Sequence, residues 1–373
     1  MIYLDNAATS FPKPPGVAEA VNECLTRYCG NPGRGAHPLS LICAEKIYDC
    51  RIALADFFGA RAPECISFTH NTTHALNVAV KGCFRVGDHI LISELEHNAV
   101  RRPLCRLRRE LGIAFETFPV VGLSASQLLD GIRQRLRPNT AGLICTHASN
   151  ICSVSLPLPK IGAFCHDHGL LFIVDAAQSA GHLPIDMNAM QIDILAAPAH
   201  KALYGIQGAG VLVMNGDILP TPLLEGGSGS DSLAEEMPVH PPERYEAGTL
   251  ATPAIVGLLT GLQFVCANGL NALYEKEKTL FRAARERLTS LPAITVYAQE
   301  QEGAVLLFNH EEYAPEEIAH RLARENICVR AGYHCAPLAH QAIGTAARGA
   351  VRLSFGAFNT VSELDTLWKV LKR

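Results

Sequence analysis

The chain has 373 residues, of which 48% are hydrophobic and 18% charged, so it can bury a large core and exceeds the usual size of a single domain. Its net charge of −4, with no basic block, argues against binding to nucleic acid or to an anionic membrane surface. No apolar run is long enough to cross a bilayer, and the N-terminus has no basic region and lacks a signal peptide's apolar core, which predicts a cytoplasmic protein.

The cysteine count is 13, an odd number, and the cysteines are scattered without a Cys-x-x-Cys motif. In a chain that is not exported, this pattern indicates free thiols rather than a disulfide framework. Most of these residues are expected to be small buried hydrophobes.

The first large part of the chain alternates strand-like and helix-like segments. The strand-like runs are Ile66–Thr69, His89–Ser93, Ala114–Val120, Ala141–His147, Leu170–Ala176, Asp193–Ala197 and Ala209–Met214. The helix-like segments between them include Ala75–Gly82, Ala99–Leu111, Ser124–Leu136 and Leu158–His168. This alternation predicts an α/β domain with one seven-stranded, mostly parallel sheet covered by helices on both faces.

The pattern changes after Pro253, where long helices precede short strands, and this predicts a smaller α+β domain. Its expected elements are Ala254–Ala267, Asn271–Ser290, Ala293–Ala298, Ala304–Phe308, Pro315–Glu325, Ile327–Arg330, Val351–Phe355 and Val361–Leu371. The predicted organisation is therefore an N-terminal segment, 1–15, that packs with the small domain, a large domain, 16–252, and the small domain, 253–373. The glycine- and serine-rich stretch 226–232 is the most loop-like and is a candidate mobile lid.

Two polar residues follow neighbouring buried strands of the large domain. Asp175 ends the run Leu170–Ala176, and Lys201 comes shortly after Asp193–Ala197, beside His200. In a doubly wound sheet the carboxyl ends of the strands form the ligand-binding edge. A lysine that can form a Schiff base and an acid that keeps a pyridine nitrogen protonated are what pyridoxal phosphate (PLP) requires. The sequence therefore predicts a PLP site, although a surface lysine and an Asp helix cap are the simpler alternatives for each residue alone.

Seven ordered motifs extend this interpretation along nearly the whole chain. They are Thr69-His-Asn-Thr72-Thr73, Glu96-His97-Asn98-Ala, His147-Ala-Ser-Asn150, Asp175-Ala-Ala-Gln178-Ser-Ala-Gly, His200-Lys201, Glu246-Ala-Gly-Thr249 and Arg330-Ala-Gly-Tyr-His334-Cys335-Ala. Together they resemble class V aminotransferase-type PLP enzymes, and within them the cysteine desulfurases and selenocysteine lyases of the Suf-type branch. The resemblance implies PLP fold type I, a homodimer with active sites at the subunit interface, and abstraction of sulfur from L-cysteine.

The resemblance also implies how the cofactor is held. Lys201 would bind PLP covalently, Asp175 would contact the pyridine nitrogen, and His97 would stack on the ring and handle protons near the substrate sulfur. Gln178 and Asn150 would lie near the phenolic oxygen, while Thr72, Thr73, His200 and the partner subunit's Thr249 would serve the phosphate. A helix N-terminus after a strand suits a phosphate, but an ordinary threonine cap is an equal alternative for Thr72 and Thr73 from sequence alone.

Pro198 departs from the family pattern. Many relatives carry a Ser or Thr three residues before the lysine, where it bonds the phosphate. Proline has neither a hydroxyl nor an N–H, so one hydrogen bond worth about 1–2 kcal/mol is expected to be missing. The departure concerns retention of the cofactor more than its chemistry.

Cys335 is the candidate sulfur nucleophile, because nearby positive charge favours a reactive thiolate, although a structural role is commoner for one cysteine among many. Two other clusters could suggest a metal: His334, Cys335 and His340, or Cys165, His166 and His168. Neither has regular ligand spacing with a fourth partner, so no metal is predicted.

Arg352, at the opening of a predicted strand, suits a bidentate grip on the substrate's α-carboxylate. Arg330 is assigned to substrate binding or to loop support, and Asn150 is assigned to substrate binding as well. The predicted reaction is conversion of L-cysteine to L-alanine, with the sulfur held as a persulfide on Cys335 for an acceptor protein of unknown identity. A selenocysteine lyase would share this site, and an aminotransferase would use Lys201 without needing Cys335. A non-enzymatic PLP-binding or sulfur-relay protein is opposed by the complete residue set.

Overall fold

The structure is a computed structural model that describes residues 1–33, 35–215, 218–230 and 232–372. Its main feature is a seven-stranded sheet with the order β2-β8-β7-β6-β5-β3-β4. These strands are β2 Ile66–Thr69, β3 His89–Ser93, β4 Ala114–Phe118, β5 Thr140–Thr146, β6 Leu171–Asp175, β7 Ile194–Pro198 and β8 Gly210–Met214. Strands β2, β3, β6, β7 and β8 are buried throughout, as expected for a sheet with helices on both faces.

Only β8 runs against the other strands of this sheet. It pairs antiparallel with both β2 and β7, whereas the pairs β3–β4, β3–β5, β5–β6 and β6–β7 are parallel. The remaining six strands therefore end at one edge of the sheet, and the residues that follow them meet there.

Eleven α-helices surround the sheets in the described part of the chain. They are α1 Pro15–Glu23, α2 Pro38–Phe58, α3 Thr72–Cys83, α4 Asn98–Leu111, α5 Ala125–Arg133, α6 Leu158–Asp167, α7 Thr252–Asn268, α8 Leu270–Thr289, α9 Pro315–Arg324, α10 Pro337–Ala342 and α11 Val361–Leu371. A π-helical turn, Cys24–Tyr28, follows α1. Two hydrophobic clusters cover the two faces of the large sheet, one containing Phe172 and Val174 and the other Ile173 and Ile194.

A second sheet is antiparallel and has the order β12-β13-β10-β9. Its strands are β9 Ile294–Tyr297, β10 Val305–His310, β12 Arg330–Gly332 and β13 Ala350–Ser354. A separate parallel pair joins β1, Ile2–Tyr3, to β11, Ile327–Cys328. A third hydrophobic cluster, which includes Leu4, Phe308 and Leu353, packs this part of the molecule.

The α/β class and the mostly parallel seven-stranded sheet are confirmed, and the predicted strand bounds agree to within about two residues. The single strand predicted at Ile327–Arg330 is wrong. The chain leaves the pair with β1 after Cys328 and joins β13 from Arg330, so two short strands replace one. Arg352 also lies in the middle of β13 rather than at its opening.

Helix α2 is absent from the predicted elements, although both of its ends carry local signals. Pro38 stands at its first position, the His37 ring caps Ser40 N, and Gly59 has the left-handed conformation, φ 61°, directly after its end. These are ordinary start and stop signals for a helix.

No single helix in the described ranges is long and apolar enough to cross a membrane, although α7 and α8, bent by 82°, pass a length and composition test as a pair.

Candidate active site

The carboxyl edge of the large sheet collects most of the candidate residues. The residues Thr72 and Thr73 follow β2, His97 follows β3, Asn150 follows β5, Asp175 and Gln178 follow β6, and His200 and Lys201 follow β7. Their proximity results from the shared direction of the strands, as the sequence predicts.

Asp175 and Lys201 form the electrostatic centre of this edge. Asp175 is 2% exposed, and its carboxylate accepts a hydrogen bond from Ala177 N at 2.8 Å. Burial raises the pKa of Asp175 above its ordinary range, and Lys201 partly opposes this shift. Burial lowers the pKa of Lys201 to about 8, with Asp175 opposing and Arg352 and Arg330 reinforcing the shift. A lysine with this pKa has a substantial neutral, nucleophilic fraction near neutral pH.

The threonines at the start of α3 are not helix caps. Asn71 is the cap residue, and its side chain accepts a hydrogen bond from His74 N at 2.9 Å. The hydroxyl of Thr72 is buried and has no hydrogen-bond partner among the described residues. A buried unused donor at a helix N-terminus suits an anionic ligand such as a phosphate.

His200 presents a second buried polar atom of this kind. Its Nδ1 has no partner within the described ranges, and burial lowers the pKa of the ring to about 4, so the ring is neutral. The backbone carbonyl of His200 accepts hydrogen bonds from Ser10 N at 3.0 Å and Lys13 Nζ at 2.9 Å. The unused atoms of Thr72 and His200, the buried carboxylate of Asp175 and the neutral fraction of Lys201 together fit PLP.

The His97 ring is held by its own helix. It caps α4, and its Nδ1 accepts a hydrogen bond from Ala99 N at 3.0 Å. Burial lowers the pKa of His97 to about 4, with Lys201 adding to the shift. The neutral ring therefore carries its hydrogen on Nε2 and presents a donor to its surroundings.

The amide groups of Gln178 and Asn150 are anchored by backbone carbonyls. Gln178 Nε2 donates to Ala7 O at 2.9 Å, and Asn150 Nδ2 donates to His334 O at 2.8 Å. Each amide nitrogen retains one further hydrogen for another acceptor. The site is therefore tied both to the N-terminal segment and to the loop that carries Cys335.

Cys335 is exposed and lies in a constrained loop. Both His334, φ 49°, and Cys335, φ 56°, have left-handed backbone conformations, which are uncommon outside glycine. Cys335 O accepts a hydrogen bond from Asn98 N at 2.8 Å, and the side chain lines a cavity together with Thr73 and His97. The structure thus brings the predicted nucleophile to the same opening as His97.

A hydrogen-bonded chain of buried side chains supports this loop. Thr345 Oγ1 lies 2.7 Å from His340 Nδ1, His340 Nε2 lies 3.3 Å from His334 Nδ1, and His334 Nε2 lies 3.3 Å from Arg330 O. Because the Arg330 carbonyl can only accept, every hydrogen bond in the chain has the same direction. The Thr345 hydroxyl donates to His340, the neutral His340 ring donates to His334, and the neutral His334 ring donates to Arg330 O. Burial lowers the pKa of His334 to about 3, which is consistent with a neutral ring.

His168, from the second cluster considered as a metal site, makes two contacts with Phe164. His168 Nδ1 contacts Phe164 O at 2.8 Å, and its ring stacks on Phe164. The described residues contain no group of three or more His, Cys, Asp or Glu side chains that could hold a metal ion.

Arg352 is 2% exposed and contacts two distant parts of the chain. Its guanidinium donates to Asn150 O at 2.9 Å and to Asp5 Oδ1 at 2.7 Å, and its Nε has no partner among the described residues. Two of the five N–H donors are thus used by the protein, which leaves others for a carboxylate. Arg330 pairs with Arg352 across β12 and β13 but is exposed.

Thr249 is the one candidate that the structure does not bring to this edge. It is exposed and lines a different cavity of about 800 Å³ with Gly33, Tyr48 and Arg51. The described part of the predicted lid, residues 226–230 and Ser232, lines the same cavity, and Asp231 lies outside the described residues.

The loop that carries Thr249 is firmly anchored. Glu246 is buried and pairs with Arg51 at 2.5 Å, and it also accepts a hydrogen bond from Phe68 N at 2.6 Å. Gly248, φ 90°, turns the chain and donates to Gly227 O at 2.8 Å. The anchored loop leaves Thr249 exposed at the surface.

Sequence reasoning missed four residues that organise the site: Asp5, Lys13, Glu96 and Thr345. Lys13 donates to His200 O at 2.9 Å, and burial lowers the pKa of Lys13 to about 8. Asp5 forms an ion pair that spans 347 positions, and such a pair has no local signal. Glu96 lies beside His97 in one of the seven motifs. An acidic residue directly after a buried strand is the sequence signal that points to it.

Comparison with known proteins agrees with this arrangement. The family described as aminotransferase class-V matches residues 2–367. The chain is 33% identical to a probable cysteine desulfurase of Pyrococcus abyssi over all of this chain and 94% of the relative. It is also 33% identical to a cysteine desulfurase of Shigella flexneri over all of this chain and 93% of the relative.

A solved structure gives the same result for the fold. The apo structure of cysteine desulfurase from Thermococcus onnurineus NA1 superposes with a TM-score of 0.90 at 32% identity, covering all of this chain and 94% of that one. The chain therefore belongs to the class V aminotransferase family of PLP enzymes, among relatives named as cysteine desulfurases.

Proposed function

We propose that this protein is a PLP-dependent cysteine desulfurase that converts L-cysteine to L-alanine and holds the sulfur on Cys335 until an acceptor removes it. The observation that carries the proposal is the position of an exposed thiol, on a constrained loop, at the opening that His97 also lines. An aminotransferase has no use for this thiol. The full-length similarity to relatives named as cysteine desulfurases supports the same activity.

The residues that would hold the cofactor follow from the fit described above. Lys201 would attach it, Asp175 would hold the proton of the pyridine nitrogen, and Thr72, Thr73 and His200 would surround the phosphate. When bound, PLP acts as an electron sink that stabilises negative charge at the α-carbon of an amino acid. Asp175 suits this role because a buried carboxylate needs a cationic partner.

The substrate's carboxylate would bind Arg352, whose orientation is fixed by Asp5 and Asn150. Lys201 would then remove the proton from the α-carbon through its neutral Nζ, a form whose fraction near neutral pH rises because burial lowers the pKa from 10.5 to about 8. His97 would donate from Nε2 toward the site, since its Nδ1 is occupied by Ala99 N.

Sulfur transfer would be the task of Cys335. Its thiolate attacks the substrate sulfur, the new S–S bond forms as the Cβ–S bond breaks, and the electron pair of the broken bond stays on the carbon skeleton. Protonation of that skeleton yields alanine, so no external oxidant is required. The chain Thr345–His340–His334 fixes the loop from which the thiolate attacks.

The test compares substrates and cysteine variants. With a thiol reductant present, the protein should form alanine from L-cysteine, and Cys335→Ser should abolish this while the spectrum of bound PLP stays unchanged. Cys266→Ser, which alters another exposed cysteine, is the matched control and should retain activity. After a cysteine pulse, mass spectrometry should find one extra sulfur on the Cys335 peptide.

Two results would overturn the proposal: full activity of Cys335→Ser, or the extra sulfur on another cysteine. L-Selenocysteine and a keto acid complete the substrate panel. Preference for L-selenocysteine would favour a selenocysteine lyase, and amino-group transfer to the keto acid would favour an aminotransferase. Borohydride should fix the cofactor to a peptide containing Lys201, and its recovery on Lys160 or another lysine would remove the cofactor assignment.

A further inference from the structure

The cavity beside Cys335 continues as a groove between α3 and α4. It has a volume of about 350 Å³, and its walls are two helical stripes: Thr73, Asn77 and Lys81 from α3, and Asn98, Arg102 and Arg106 from α4. The residues of each stripe are four positions apart, so they share one face of their helix. Eight positions along a helix correspond to about 12 Å, which gives the length of the groove. We call it the α3–α4 groove.

The α3–α4 groove is cationic in a protein whose net charge is −4. Lys81 is half-buried, Arg102 and Arg106 are exposed, and none of the described residues that line the groove is acidic. Glu110 pairs with Arg106 at 2.8 Å, with both side chains exposed, so this pair offsets little of the local charge. The groove therefore attracts anions to the neighbourhood of Cys335.

The shape of the groove limits what can enter it. Its lining includes the buried Ala99 and Pro103. Asn77 Nδ2 donates to Thr73 O at 2.8 Å, which leaves its second hydrogen and its oxygen, together with the Asn98 amide, to bond an extended backbone. A volume of about 350 Å³ accommodates a few residues of an extended segment and excludes a folded domain. Arg102 and Arg106 are four positions apart on α4, about 6 Å, and Lys81 lies on the facing helix. This spacing matches alternate acidic side chains of an extended segment, about 6.6 Å apart, better than the broad charge of a nucleic acid.

We propose that the α3–α4 groove docks an acidic, cysteine-containing segment of the protein that accepts sulfur from Cys335; this rests on the proposed function. Cys335 and His97 lie at one end of the groove, so a segment bound along it brings its thiol to the sulfur. The acceptor thiolate attacks the outer sulfur of the Cys335 persulfide. The bond from that sulfur to Cys335 breaks as the bond to the acceptor forms, and Cys335 leaves as a thiolate, so electrons balance without a further reactant.

The experiment uses the PLP-loaded enzyme and two synthetic peptides with one central cysteine, flanked by glutamates in one and by glutamines in the other. The enzyme is first incubated with L-cysteine to form the Cys335 persulfide. Each peptide is then added, and mass spectrometry follows the extra sulfur that it gains. The acidic peptide should accept sulfur about tenfold faster at low salt, and this preference should fall as salt is added. Equal rates for the two peptides would overturn the proposal.

Matched variants distinguish the effect of the groove's own charges from the effect of the protein's overall charge. In Lys81→Gln/Arg106→Gln the ratio of the two peptide rates should fall to about one. The control Arg85→Gln/Arg108→Gln removes the same charge from exposed positions outside the groove, and it should keep the preference. If the control loses the preference equally, or the groove variant keeps it, the docking site is wrong.

Two further measurements separate a peptide-docking groove from a nucleic-acid surface and from an enzyme that lacks desulfurase activity. A single-stranded RNA oligonucleotide that inhibits transfer more strongly than an acidic peptide without cysteine would overturn the proposal in favour of a nucleic-acid surface. Alanine formation with dithiothreitol as acceptor tests the proposed function independently of the groove. If no alanine forms even then, the desulfurase assignment fails, whereas normal alanine formation without peptide selectivity refutes the groove alone.

Discussion

Pro198 is the last residue of β7, is buried, and offers neither a hydroxyl nor an N–H to a phosphate. We predict that Pro198→Ser slows the loss of PLP on dialysis, because the added hydroxyl can supply a bond worth about 1–2 kcal/mol. Absorbance of the retained cofactor measures the loss. Pro198→Ala, which removes the ring without adding a hydroxyl, is the control.

Equal or faster loss from Pro198→Ser would contradict this prediction. The unused buried atoms of Thr72 and His200 would then be sufficient to hold the phosphate, or the proline would be needed to shape the turn before Lys201.

The hydroxyl of Thr345 begins the chain that reaches the Cys335 loop. Thr345→Val should leave His340 Nδ1 buried without a partner, which costs about 1–3 kcal/mol. We predict that alanine formation slows about tenfold, the equivalent of about 1.4 kcal/mol in the barrier, while the bound PLP spectrum is unchanged. Steady-state rates and the labelling rate of Cys335 by iodoacetamide check this, and Thr345→Ser should behave as the wild type. A valine variant with native rates in both assays would show that the chain does not position the loop.

At the scale of elements, Glu96 joins the ends of β3 and β5. Its Oε1 accepts hydrogen bonds from Ser93 Oγ at 2.5 Å and from Thr146 N at 2.7 Å. Burial raises the pKa of Glu96 from 4.5 to about 8, so the folded protein retains a proton that the unfolded chain has released at neutral pH. Since the folded state binds more protons between these values, stability falls as pH rises through this range.

We therefore predict that the unfolding free energy of the wild type decreases relative to that of Glu96→Gln as pH rises from about 5 to about 8. Glutamine cannot ionise, so the variant lacks this contribution to the pH dependence of the unfolding free energy. Urea unfolding across the pH range measures the difference. Glu19→Gln, on the exposed face of α1, is the control and should parallel the wild type. Parallel curves for Glu96→Gln and the wild type would refute the assignment of a neutral carboxyl.

The elements that sequence reasoning predicted best are those whose burial is uniform. The strands β3, β6, β7 and β8 are buried on both faces, so their apolar runs identify them without tertiary information. The shared direction of β6 and β7 then places Asp175 and Lys201 at one edge. By contrast, β11 and β12 have two and three residues and exist because partners distant in sequence, β1 and β13, pair with them. No local pattern specifies such a division.

At the scale of the whole molecule, the N-terminal segment links both sheets to the site. β1 pairs with β11, Ala7 O accepts from Gln178, and Asp5 pairs with Arg352 of β13. The carbonyl of His200 accepts from Ser10 and Lys13. This segment therefore couples the candidate cofactor residues on the large sheet to the candidate carboxylate-binding residue on the small one.

Thr249 is exposed on an anchored loop and lines a cavity separate from the one beside Cys335. We predict that it serves the cofactor of the second subunit in a homodimer. The test uses mixed dimers in which Lys201→Ala inactivates one subunit, so that only the other subunit's PLP is observed. If Thr249 acts across the interface, placing Thr249→Val in the inactive subunit should speed PLP loss from the active one about tenfold, the effect of losing about 1.4 kcal/mol.

Placing Thr249→Val in the active subunit instead should leave retention unchanged, because that subunit's site would then receive the intact threonine of its partner. The reverse pattern would show that Thr249 acts within its own chain, which would require the anchored loop of Glu246 and Gly248 to move toward the carboxyl edge of the sheet. A monomer by light scattering, with full PLP retention, would exclude the shared site altogether. Thr249 is exposed, and the buried Arg51–Glu246 pair fixes its loop. Both observations favour a role for Thr249 at the cofactor of the partner subunit.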